Sequence, residues 1–125
     1  MTQPRLRILL TEDDADTREV LALLLSAEGY DPVTVDDGHE ALDLARTEHF
    51  DLYILDNWMP TLSGIELCKG LREFDTTTPI LFYSGVAHEP ERSAALAAGA
   101  NGYLIKPLDG DALLVEVSRL IKPIA

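Results

Sequence analysis

The sequence is short of cysteine, short of basic charge and without any long apolar run, and each shortage excludes a class of protein. A single thiol, Cys68, can form no internal disulfide, so the chain must be stable without covalent staples and is expected in a reducing cytoplasm. No segment has the unbroken apolar length of a membrane span, and Met1-Thr2-Gln3-Pro4-Arg5 runs straight into a strand-like stretch without the layout of a signal peptide. Only 10 Lys and Arg stand against 22 Asp and Glu, a formal net charge of −12. Such a chain repels a nucleic-acid backbone, because non-specific affinity comes from basic side chains neutralising phosphates, so neither direct nucleic-acid binding nor a membrane partner is expected. For most of the surface acids, solubility is reason enough. No linker, repeat or low-complexity stretch divides the 125 residues, whose 46% hydrophobic content suits one core, and no appended output domain is expected.

What is present is an alternation of short apolar runs with longer amphipathic ones, the pattern of parallel strands joined by crossover helices. Strands are expected at Leu6 to Leu10, Pro32 to Val35, Leu52 to Leu55, Ile80 to Tyr83 and Gly102 to Ile105, most of them apolar throughout as strands covered on both faces should be. Between them, Asp14 can cap a helix carrying Val20, Leu21 and Leu24 that Gly29 ends. Asp37 with Glu40 opens a second, through Ala41, Leu42 and Ala45, and Ser63-Gly64-Ile65-Glu66 has the form of a capping box before Leu67 and Leu71. Pro90 suits a first turn, with Gly99 stopping the helix after Leu96, Ala97 and Ala98. The last helix is expected to start near Asp109 and to set Leu113, Leu114, Val117, Leu120 and Ile121 in one core-facing stripe.

In an open sheet wound on both faces, ligands bind beyond the carboxyl ends of the strands. Glu12, Asp13 and Asp14 follow the first strand, Asp56 the third, Ser84 the fourth and Lys106 the fifth. Each has a structural explanation when taken alone: capping for the acids, a turn for Asp56, a loop start for Ser84-Gly85, an exposed strand end for Lys106-Pro107. Together they say more. If the first and third strands are neighbours, three carboxylates share one pocket, and their repulsion is relieved by proton uptake or by a divalent cation. An all-oxygen set with room for waters and a phosphate suits Mg²⁺, while Lys106 offers a compact positive charge and Ser84 a hydroxyl donor. The set describes phosphoryl transfer to a carboxylate.

On these residues the chain resembles, over essentially its whole length, the receiver domain of two-component response regulators. The acidic pair matches Glu12-Asp13, in Ile8-Leu9-Leu10-Thr11-Glu12-Asp13-Asp14 followed by Arg18. The phosphoacceptor matches Asp56, followed by Met59-Pro60 and Gly64. The switch serine matches Ser84-Gly85, the aromatic switch Tyr103 and the Lys-Pro pair Lys106-Pro107. The resemblance implies one receiver domain over residues 1–125, an α/β flavodoxin-like fold with a doubly wound five-stranded parallel sheet of order 2-1-3-4-5 and five helices. It implies Mg²⁺, replaceable by Mn²⁺, on Asp13, Asp56 and the Trp58 backbone carbonyl, with Glu12 acting mainly through bound water. It further implies a phosphoryl group reaching Asp56 from a sensor histidine kinase, a histidine phosphotransfer protein or a small phosphodonor, with Lys106 neutralising its oxygens. Ser84 and Tyr103 would then switch the surface of the fourth helix, fifth strand and fifth helix toward a downstream target protein or a phosphorylation-promoted homodimer. A cis bond joining Lys106 to Pro107 is implied as well.

Some positions depart from the commonest pattern. Glu12 stands where aspartate is frequent, and Thr11 puts a hydroxyl where an apolar residue is usual. The resemblance puts Trp58 and Val86, two residues after the phosphoacceptor and the switch serine, where side chains of the family border the path of the attacking water; an indole and an isopropyl cannot orient that water, so slow hydrolysis of phospho-Asp56 is expected. The resemblance makes the chain a signalling switch rather than an enzyme. A Mg²⁺-dependent phosphatase with Asp56 as nucleophile would want a second acid at the position of Trp58. A flavin or nucleotide carrier would want a Gly- or Ser-rich loop where Glu12-Asp13-Asp14 repels phosphate. A receiver-like scaffold without phosphorylation would not need every key residue kept. His39, His49 and His88 follow no metal-ligand spacing and are expected at the surface or at helix ends, and Cys68 as a buried small side chain. The kinase, the target and the stimulus leave no mark in the sequence, and neither does membership of a longer regulator or hybrid kinase.

Overall fold

A computed structural model describes residues 5–85, 89–106 and 110–121. Strands β1 (Arg7–Thr11), β2 (Asp31–Val35), β3 (Leu52–Leu55), β4 (Ile80–Ser84) and β5 (Gly102–Ile105) alternate with helices α1 (Ala15–Ala27), α2 (Gly38–Thr47), α3 (Gly64–Arg72), α4 (Glu89–Ala97) and α5 (Gly110–Leu120). All strand pairs are parallel, in the order β2-β1-β3-β4-β5, the expected doubly wound arrangement. The reversal of strand order lies between β1 and β3, which pair from Ile8 opposite Leu52 to Thr11 opposite Leu55.

Because side chains alternate across a pleated strand, each strand feeds two cores. Ile8 and Leu10 of β1, Leu52 and Ile54 of β3, and Leu81 and Tyr83 of β4 pack against Leu21 and Leu25 of α1 and Leu113 and Val117 of α5. Leu9, Tyr53, Leu55, Ile80 and Phe82 meet Ala41 and Ala45 of α2, Leu67, Cys68 and Leu71 of α3, and Ala95 of α4 on the opposite face.

The helix starts follow the expected chemistry. Asp14 caps α1 by accepting from the Thr17 amide, Asp37 caps α2 by accepting from His39, and the Ser63–Glu66 capping box of α3 is complete in both directions. Gly29 and Gly99 both take positive φ, at 92° and 116°, where a side chain would be strained. The expected helix start at Asp109 lies outside the described residues.

The fold adds burial details and moves strand ends. Only the central strands are covered on both faces; β2 and β5 are the sheet edges and stay partly exposed, Ile105 included. Val20 is 55% exposed because the buried stripe of α1 runs through Leu21 and Leu25 instead. On α4 the buried residue is Ala95, while Leu96 is 40% exposed. The first strand also runs one residue further than its apolar run, to Thr11, which is fully buried.

The Thr11 hydroxyl finds no hydrogen-bond partner among the described residues. An unpaired buried hydroxyl costs about 1–3 kcal/mol. Thr11→Val is therefore expected to raise stability by about 1 kcal/mol in denaturant titrations. A valine chain no more stable than the native one would mean that a buried water satisfies the hydroxyl.

Candidate functional site

Strand alternation also sorts the polar residues at the carboxyl rim. Glu12 lies two residues beyond Leu10, Asp56 two beyond Ile54 and Lys106 two beyond Leu104, so all three continue the rows that pack toward α1 and α5. The ladder carries them a residue past the strands: the Glu12 amide donates to the Val35 carbonyl (3.1 Å), that of Asp56 to Thr11 (3.2 Å) and that of Lys106 to Ser84 (2.8 Å). The side chains then converge. Lys106 Nζ lies 2.5 Å from Glu12 Oε1 and 3.2 Å from Asp56 Oδ2.

The loop between β1 and α1 separates capping from the rest of the acidic run. Asp14 takes the cap, with its Oδ2 accepting from the Thr17 amide (2.8 Å) and hydroxyl (2.6 Å). Glu12 accepts only from the amide of the capping residue itself, Asp14 N donating to its Oε2 at 3.2 Å. Arg18 clamps the loop, its Nη1 donating to the Glu12 carbonyl at 2.9 Å. The carboxylate oxygens of Glu12, Asp13 and Asp56 lie within 4.8 Å of one another, with Asp13 exposed and the other two buried.

The loop after β3 is held just as firmly. The Asn57 carbonyl accepts from the Gly64 amide (3.0 Å) and its Oδ1 from the Ile65 amide (3.3 Å), so this loop satisfies free N–H groups of α3. A Cβ at Gly64 would collide with the Asp56 carbonyl oxygen and the Phe82 ring, so only glycine lets α3 approach so closely. The Trp58 amide donates to Asp56 Oδ1 (3.3 Å), and its side chain is 62% exposed.

Three carboxylates face one ammonium, and the titration of Glu12 records the imbalance. Burial, with the Asp56 carboxylate adding to it, pushes the Glu12 carboxyl up to about 7 against the opposing pull of Lys106. Burial alone would depress the Lys106 ammonium, yet the bonds and charges of Glu12 and Asp56 outweigh it and hold its pKa above the ordinary lysine value. The site is one cation short. A donor set made only of hard oxygens, partly open at Asp13, fits a Mg²⁺-like ion.

The remaining predicted residues fall elsewhere. Ser84 is buried at the end of β4, two residues beyond Phe82 and therefore on the α2–α4 face. Tyr103 lies on that same face and stacks on Phe82, with ring centroids 5.7 Å apart and planes 13° apart. Val86 and Pro107 lie outside the described residues, and with them the water-path role of Val86 and the Lys106–Pro107 bond; His88 is outside as well. His39 and His49 are exposed, as expected, and Cys68 is fully buried, its thiol pushed up to about 11 by burial. The motifs did not single out Tyr83, whose ring centroid lies 5.6 Å from Lys106 Nζ. Its place two residues beyond Leu81 was the available signal.

A sequence model of the response regulator receiver domain matches residues 8–118. The chain belongs to that family. Curated relatives include the cell cycle transcriptional regulator CtrA of Caulobacter vibrioides, 33% identical over 117 residues, and response regulator MprA of Mycolicibacterium vanbaalenii, 40% identical over 116. The matches cover 94% and 93% of this receiver but 51% and 50% of those proteins, so the chain spans about half the length of the curated relatives it matches. Among solved structures, chemotaxis protein CheY4 of Vibrio cholerae superposes with a TM-score of 0.90 at 31% identity, covering 94% of this chain and 100% of that one. The receiver domain of sensor histidine kinase PA1611 from Pseudomonas aeruginosa, solved with a magnesium ion coordinated in its active site cleft, gives 0.87 at 28% identity over 94% and 98% of the two chains. Receivers of this family bind Mg²⁺ in an acidic pocket, and in this chain Glu12, Asp13 and Asp56 form an acidic cluster.

The Glu12 shift has a readable consequence. A carboxyl whose pKa rises from 4.5 to about 7 on folding makes the folded state bind more protons across that window, so it costs stability as pH rises through it. Asp14 and Asp37, held low by hydrogen bonds from Thr17 and Thr61, act only below that window. In EDTA the native chain should melt at higher temperature at pH 5.5 than at pH 7.5, and Glu12→Gln should flatten that difference. Excess Mg²⁺ should raise the pH 7.5 value most. Equal pH dependence in native and Glu12→Gln chains would refute the assignment.

Proposed function

We propose that residues 1–125 act as one cytoplasmic phosphoacceptor domain in which Asp56 takes a phosphoryl group from a sensor histidine kinase, a histidine phosphotransfer protein or a small phosphodonor. The observation that carries this reading is the position of Asp56, with one oxygen on the Lys106 ammonium and the Glu12 and Asp13 carboxylates alongside. Asp13, Asp56 and the Trp58 carbonyl are the proposed inner ligands of Mg²⁺, with Mn²⁺ able to substitute. Glu12 is the outer acid, since its Oε1 is engaged by Lys106 and its Oε2 by the Asp14 amide. When bound, the cation neutralises phosphoryl oxygens and relieves the repulsion among the acids.

An Asp56 oxygen forms a bond to phosphorus as the bond from phosphorus to the donor breaks. From acetyl phosphate the leaving group is acetate; from phosphohistidine it is imidazole, protonated at its other nitrogen. Lys106 donates to the phosphoryl oxygens, so catalysis here is positioning and charge, and the product is an acyl phosphate on Asp56. Ser84 then turns its hydroxyl to the new acceptor oxygens and Tyr103 follows on the same face of the sheet, altering the surface of α4, β5 and α5. That surface meets a downstream target protein or a second phosphorylated copy. Hydrolysis is slow because the Trp58 indole, like Val86, offers no polar group to orient water.

Intact mass after incubation with acetyl phosphate tests the reading. One phosphoryl adduct is expected that requires both Mg²⁺ and Asp56, and is absent from Asp56→Asn. No adduct under any condition would leave a receiver-like scaffold. Trp58→Asn should shorten the adduct's lifetime about tenfold, equivalent to ~1.4 kcal/mol of barrier. An unchanged lifetime would remove Trp58 from the account of slow decay.

A further inference from the structure

We infer that Tyr83 is a positioning residue for phosphoryl transfer, its ring face serving as the platform that holds the Lys106 ammonium over Asp56. The inference rests on the proposed function but on a different contact. Lys106 must satisfy two acids from strands on the far side of β4, and a lysine carries four rotatable bonds, so something beneath it has to limit where the ammonium goes. Strand parity supplies that support. Tyr83 opposes Leu104 in the β4–β5 register, and two residues later the chain of β5 reaches Lys106 on the same face. The ammonium lies 5.6 Å from the ring centroid, inside the range in which an aromatic face attracts a cation.

The ring itself is well fixed. Tyr83 is buried among Leu21, Leu81 and Leu113, and it forms one wall of an apolar groove with Val20 and Leu24 of α1. A leucine at position 83 would fill much of that space but offer no quadrupole to the ammonium. Glu12 and Asp56 would then compete for a lysine free to swing toward either. The carboxylates fix the charge that Lys106 must meet, and the ring fixes the place from which it does so.

Three chains test this: native, Tyr83→Phe and Tyr83→Leu, each also in a Lys106→Met background. With acetyl phosphate and saturating Mg²⁺, Tyr83→Leu should slow adduct formation by about fivefold or more, while Tyr83→Phe, which keeps the ring, should stay within about twofold of native. In the Lys106→Met background the leucine change should add no further loss, which separates an effect through Lys106 from a general loss of packing. Proton NMR gives a readout that needs no phosphorylation: the Lys106 ε-methylene protons should be shifted upfield by the ring in the native and Phe chains and not in Tyr83→Leu. Absence of that ring-current shift in the native chain overturns the inference outright. So does an equal rate for native and Tyr83→Leu, or an equal loss in Tyr83→Phe and Tyr83→Leu. A native chain that takes no phosphoryl group but shows the ring-current shift overturns the proposed function and the rate effect with it, and leaves the ring contact standing as structure alone.

Discussion

The contact on which the rim of this sheet depends is the one between Lys106 and the carboxylates of Glu12 and Asp56. It joins residues 94 and 50 positions apart in the chain, and it reaches from the edge strand β5 across β4 to the two central strands. Without the ammonium, two buried carboxylates at neighbouring strand ends would repel in a low dielectric, where such repulsion is costly. With it the rim is held together but still carries a surplus of negative charge, which the raised titration of Glu12 expresses. A bound cation would offset that surplus.

The two loops that present the acids are made rigid by ordinary helix chemistry. After β1, Asp14 satisfies the first turn of α1 and Arg18 holds the Glu12 carbonyl, so the neighbouring acids are released from capping and aimed at the rim. After β3, Asn57 satisfies the start of α3 while Gly64 lets the helix sit directly against the Asp56 carbonyl. The Ser63–Glu66 capping box completes that start from the other side. Helix caps and clustered carboxylates thus sit on neighbouring residues of the same two loops, so the contacts that start the helices also hold the loops that carry the acids.

Much of this was legible in the sequence, because the signals were local. Strand positions came from apolar runs, helix starts from Asp14, Asp37 and Ser63, and the site from polar residues placed just beyond each run. What escaped was whatever depends on a neighbour supplied by the fold. Thr11 stood out only as a hydroxyl where an apolar residue is usual, one position past the expected strand end, and it is pairing with Val35 and Leu55 that extends β1 to it. Val20 and Leu96 are apolar and helical but face outward, since Leu21 and Ala95 take the buried places on α1 and α4. Tyr83 gave no motif at all, and its contact with Lys106 exists only because β4 and β5 lie side by side.

The sheet that carries these residues also divides them. Tyr83 and Ser84 are consecutive in the chain, yet pleating sends one toward the acids and α1 and the other toward Phe82 and Tyr103. One layer of backbone lies between them, so the rings of Tyr83 and Tyr103 belong to different cores. Parity therefore works as an address. Insertion of a single residue before Tyr83 would exchange the two destinations, and a chain altered in that way would keep every functional group while delivering each to the wrong room.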